Sequence, residues 1–123
     1  MRLVTTMDVD NPDGSEVAMK FVLELETPDG ARVLLLADRG WSENRAWDAV
    51  SFEHLERMAL TAVGPDEPFD GYTREEMALD HWDALASLAN RKGVSVTAMT
   101  LAELQHSVEA TQRLLALLPK DST

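Results

Sequence analysis

The feature that most constrains this chain is a repeated turn signature. Asn11-Pro12-Asp13-Gly14 and Thr27-Pro28-Asp29-Gly30 share a Pro-Asp-Gly core, in which proline pre-sets its own φ and glycine accepts a conformation closed to other residues. Two tight reversals this close together leave room only for short extended segments around them: Leu3 to Val9, Val17 to Glu26 and Ala31 to Ala37. In the middle segment Met19, Phe21, Leu23 and Leu25 alternate with Lys20, Glu24 and Glu26, the period of a strand with one buried face. The expectation is a small antiparallel sheet of two to three strands, joined as a hairpin meander. Thr5, Thr6 and Asp8 dilute the first segment, so residues 1–16 read as a strand prone to fraying.

Helical signals take over further on. Residues 38–50 hold Gly40, Ser42, Asn44, Trp41 and Trp47 with neither helical nor strand period and read as a long ordered loop. Ser51 then caps a run in which Phe52, Leu55, Met58, Ala59 and Ala62 recur at helical spacing before Gly64-Pro65; its tail, Met58 to Val63, also fits a strand. Thr73 and Glu76 form a capping box for a helix that runs to about Lys92 and is closed by Gly93. Val94 to Val96 reads as a short extended piece, and Thr100 with Glu103 opens a last helix that ends at Pro119. The fold class is α+β, a small antiparallel sheet followed by about three helices packed on one face. With 123 residues, 45% of them hydrophobic, residues 1–123 form one domain whose core needs no disulfide or structural metal.

Charge and composition exclude several functions. Eleven Lys and Arg face 22 Asp and Glu, a formal charge of −11, which repels phosphate backbones and anionic lipid; neither nucleic acid nor a membrane is an expected partner. The absence of cysteine removes thiol nucleophiles and cysteine-based metal sites and fits a reducing cytoplasm. The longest apolar runs, Val33 to Ala37 and Leu114 to Leu118, are too short to span a bilayer. The charge is concentrated: between Pro65 and Asp83 seven acids face only Arg74. A basic protein partner would therefore meet this segment, at Asp66, Glu67 and Asp70, unless the acids serve only solubility.

No motif specifies a reaction. The nucleophile elbow, the zinc-binding His-Glu-x-x-His, the phosphate loop and the dinucleotide fingerprint are all missing from the sequence, and neither catalytic residues nor a cofactor nor a metal is assigned. Glu103 and His106 have Glu-x-x-His spacing on the expected last helix, but no second copy accompanies them. Residues 66–77 resemble a calcium loop only until Pro68 and Met77 fall where ligands are required. On the second helix His81 shares the apolar arc with Met77, Leu85 and Leu88, as a core residue bonded to a backbone carbonyl or as part of a site. Trp41 and Trp47 either line a ligand pocket with His81 or fold back as a lid over the sheet. Arg39 and Arg45 beside them either hold an anion or pair with Asp38, Glu43 and Asp48. Leu60, Ala110 and Leu117 fall outside the main apolar arcs and admit a homodimer.

In type, though in no motif, a small, acidic, cysteine-free α+β chain resembles the bacterial immunity and antitoxin proteins, which bind a partner and catalyse nothing. The eight-to-three excess of arginine over lysine fits a GC-rich bacterial source. That resemblance implies a protein-binding module; the competing expectation is a small-molecule binder, or an enzyme without a known motif, with its pocket between sheet and helices.

Overall fold

A computed structural model describes residues 1–10 and 14–119. The first Pro-Asp-Gly turn, at residues 11–14, lies largely outside that range. The chain is α+β, with one four-stranded mixed sheet and four helices. Strands β1 (Arg2–Val9), β2 (Glu16–Glu26) and β3 (Arg32–Ala46) run as the expected antiparallel meander. The second turn closes as the sequence requires: Gly30 has φ +87° and donates to the Thr27 carbonyl at 2.9 Å. Helices α1 (Phe52–Ala62), α2 (Arg74–Arg91) and the short α3 (Ala98–Glu103) follow. The chain then adds β4 (His106–Ala110) and a single turn, α4 (Gln112–Leu115).

Three expectations are corrected. First, the last helix is not continuous. Thr97, rather than Thr100, caps α3 by accepting from the Thr100 amide, and the chain turns extended at Leu104. It re-forms as β4, which pairs in parallel with β1 to give the strand order β3-β2-β1-β4. Second, β1 is a central strand rather than a frayed one: Leu3, Val4, Thr5, Met7 and Val9 are all buried. Two of its diluting polar residues, Thr5 and Asp8, have side-chain partners. The Thr5 hydroxyl lies 2.6 Å from His106 Nε2, and Asp8 accepts from Thr111 Oγ1 at 2.8 Å and Arg113 Nε at 2.6 Å. Third, most of residues 38–50 is strand. At 15 residues β3 is four longer than the 11-residue β2 it pairs with, and the surplus is taken up at three irregularities of register. These irregularities add two, one and one residues to β3 and break the inside–outside alternation, which is why no period is visible there; a 3₁₀ turn at Trp47–Ala49 ends the segment.

Helix starts fall where the caps put them. Ser51 Oγ accepts from the His54 amide at 3.1 Å, and both bonds of the Thr73–Glu76 capping box are present. Gly93, at φ +94°, closes α2. The helices cover one face of the sheet, where Leu55, Ala59, Leu85, Ala89, Leu101 and Leu114 meet Leu3, Met7, Phe21, Leu23 and Leu25. Ala110 and Leu117 pack against this core, so of the three positions considered for a second copy only Leu60 is exposed. The opposite face carries a charged lattice in which Arg32 bonds Glu26 and, from the far edge of the sheet, Glu109. Val4 points to that side and is still fully buried. Among the described residues no helix is long and apolar enough to cross a membrane.

The Arg113 guanidinium holds the Asp8 carboxyl far below the usual carboxylate range, against the opposing effect of burial. A depressed carboxyl stabilises the fold fully above the unfolded value of 3.8 and loses that contribution as pH falls below it. Asp8→Asn is expected to cost roughly 1–2 kcal/mol at pH 7, with the gap from the parent chain narrowing below about pH 4. Urea melts of both proteins across that range measure it.

Candidate functional site

The turn that builds the site was not singled out from the sequence. Between α1 and α2 the residues Phe69-Asp70-Gly71-Tyr72 close a tight reversal in which the Tyr72 amide donates to the Phe69 carbonyl at 3.0 Å. Both central residues have positive φ, +51° at Asp70 and +80° at Gly71, the signature of a type I′ turn, for which Asp-Gly is a preferred pair. Asp70 is the one non-glycine residue with positive φ among the described residues. The first and fourth residues of such a turn lie close together, and here both are aromatic: the Phe69 and Tyr72 ring centroids are 6.0 Å apart at an interplanar angle of 55°. Both rings stay largely in solvent, Phe69 59% and Tyr72 47% exposed, although water-exposed aromatic area is costly.

These rings form one wall of a cleft of about 540 Å³ between the turn, β3 and α2. The turn segment supplies Asp66 and Asp70; β3 supplies Leu36 and Arg39; α2 supplies Met77, Asp80, His81 and Leu85. The helix presents this row because the positions lie three and four apart on one side, and the Thr73 cap fixes where α2 begins. Arg39 crosses the cleft, donating to Asp66 Oδ1 at 2.9 Å and to the Ala62 carbonyl at 3.3 Å, with Asp38 at 3.7 Å. Its charge is therefore matched within the protein. Among the described residues neither Asp70 nor Asp80 has an ion-pair partner.

His81 is half-buried in the cleft wall, edge-on to Trp82 at 4.8 Å. Burial holds its imidazole below the ordinary value of 6.5; the Arg39 charge acts the same way, and the Val63 backbone and Asp66 oppose it. The neutral form of the ring is thereby favoured. Its Nε2 is shut off from solvent without a partner among the described residues, so it is not poised to take a proton from a bound group. Among the described residues no hydroxyl is hydrogen-bonded to it, and no three His, Asp or Glu side chains converge as metal ligands would. The geometry can hold a ligand; among the described residues it pairs no nucleophile with a base.

The expected site residues divide. Asp66, Asp70 and His81 come together in this cleft. Glu67 does not line it and pairs with Arg74 at 3.0 Å on the open surface. Neither loop tryptophan reaches His81. Trp47 is 5% exposed in the core, its indole N–H without a partner among the described residues. Trp41 stands on β3 opposite Met19 and donates to Glu43 Oε1 at 3.2 Å. Glu43 also accepts from His54 Nε2 at 2.8 Å and lies 3.4 Å from Arg45. Burial pushes the Glu43 carboxyl up, but the hydrogen bonds from His54 and Trp41 outweigh it and leave the group below its usual range. This cluster staples the start of α1 to β3. His106, expected on a polar helix face, is instead an inward residue of β4 whose imidazole burial pulls down, so the Glu-x-x-His pair does not share a helix.

Compared with protein-family models, with curated proteins and with solved structures, the chain matches none.

Two outcomes are expected of this site. In an NMR titration His81 and His106 should both show midpoints below 6.5; a folded-state value depressed in this way favours the fold above 6.5 and withdraws that support as pH falls through it. A Cβ at Gly71 would meet nothing within 4 Å, so Gly71→Ala strains only the backbone, by about 1 kcal/mol. Hydrogen exchange at the Tyr72 amide should accelerate roughly fivefold in that variant.

Proposed function

We propose that this chain is a binding module that receives a basic protein surface at the cleft between the Phe69–Tyr72 turn, β3 and α2. One observation carries the reading: the acid-rich segment and the largely exposed aromatic pair fall on the same hollow, with Asp70 and Asp80 unpaired among the described residues while Arg39 is matched by Asp66 and Asp38. Unpaired carboxylates beside exposed rings attract cations both by charge and through the ring faces. Burial, which disfavours the charged form of His81, disfavours a competing positive charge in the cleft. Solubility alone accounts for carboxylates in water, but not for aromatic area left uncovered beside them. This reading agrees with the type resemblance to immunity and antitoxin proteins and treats the chain as cytoplasmic and non-catalytic.

A second reading, a small cationic molecule in the same hollow, is favoured by its volume, which lies in the range of small-ligand sites.

The test is titration of the ¹⁵N-labelled chain with hexalysine at low and at high salt. Amide shifts should concentrate at residues 66–72 and 77–85 and fade as salt rises. Asp70→Asn keeps the positive φ, since asparagine tolerates it as well as aspartate, and should weaken binding about three- to tenfold, with Asp80→Asn similar. Shifts spread evenly over the surface, or unchanged affinity in both variants, would sink the proposal.

A further inference from the structure

Resting on that reading, we infer that the group the cleft selects is the guanidinium of an arginine side chain, presented by the basic partner, in preference to an ammonium. The reason is the shape of the aromatic wall. Phe69 and Tyr72 lean against each other at 6.0 Å and 55°, so they do not form the separated walls that surround a spherical cation, and each offers a single outer ring face. A planar, weakly hydrated guanidinium stacks on such a surface and keeps its in-plane N–H groups free. Those donors then find the carboxylates that share the cleft, Asp70 from the turn and Asp80 from α2, in charge-assisted bonds for which arginine carries five donors in a fixed plane. A lysine ammonium would reach one carboxylate only by shedding a tightly held hydration shell, and would gain little from a single ring face.

The wall is also pre-set. Each ring sits at an end of the type I′ turn, held by the Tyr72–Phe69 backbone bond and by the two central positive φ values, and Tyr72 directly precedes the Thr73 cap of α2. Little backbone ordering is left to be done on binding, which favours affinity at a small surface.

The test compares hexaarginine with hexalysine, peptides of equal length and charge, by calorimetry on the full chain. Hexaarginine should bind at least tenfold more tightly. Tyr72→Leu, which keeps an apolar side chain but removes the ring face, should bring the two peptides to within about twofold, whereas Tyr72→Phe should retain the preference. Asp70→Asn should weaken both peptides by a similar factor. Because both rings are largely exposed, the variants leave the core intact, and unchanged melting temperatures would verify that. Equal affinity for the two peptides on the parent chain, or a preference that survives Tyr72→Leu, overturns the arginine inference while leaving the basic-partner reading standing. If neither peptide shifts the cleft residues, the basic-partner reading itself fails.

Discussion

The parallel pairing of β1 with β4 is the constraint on which the other elements depend. Parallel neighbours cannot be joined by a tight turn, so the chain must leave the meander at β3, cross back, and return on the far side of β1. Helices α1 to α3 are the path of that return, which is why they lie over one face of the sheet. The pairing is secured by more than its ladder. Leu3 donates to the Gln105 carbonyl and Thr111 to that of Met7, Thr5 meets His106, and Asp8 is held by Thr111 and Arg113. A buried hydroxyl and a partly buried carboxylate on the strand between β2 and β4 would be liabilities without these partners; with them they fix β4 in one register.

Much of this was legible in the residues, and what was not has identifiable causes. The second Pro-Asp-Gly turn, the alternation of Met19 to Leu25 and the caps at Ser51 and Thr73 are local signals, and each produced its element. β4 was hidden because its five residues, His106 to Ala110, are too few to display a period, and Thr100 with Glu103 imitates a helix start one turn after the real cap, Thr97. The strand character of residues 38–46 was hidden by bulges that cancel alternation. Thr5 and Asp8 of β1 look like defects until partners about a hundred residues away are seen.

At the candidate site, Asp66, Asp70 and His81 were legible from charge and from the helical wheel, and the structure brings them to one cleft. Phe69 and Tyr72 were passed over although the signal was present: Asp70-Gly71 is a turn dipeptide, and its flanking residues must end up side by side. The tryptophans drew attention by size alone. Trp47 is a core residue and Trp41 belongs to the knot around Glu43 and His54, so ring size says less about a site than the backbone geometry that carries the ring.

The order of the strands also bears on how the chain is made. During synthesis the meander emerges before β4 and pairs within itself, but the other edge of β1 stays open until β4 appears. Thr5 and His106 are separated by 101 residues, an interval of roughly 5–20 s at ordinary ribosomal rates. For that time a nascent chain displays an unpaired edge with a buried-type threonine beside it. The bond between Thr5 and His106 is thus the seal on a sheet that synthesis must leave unfinished until β4 has emerged.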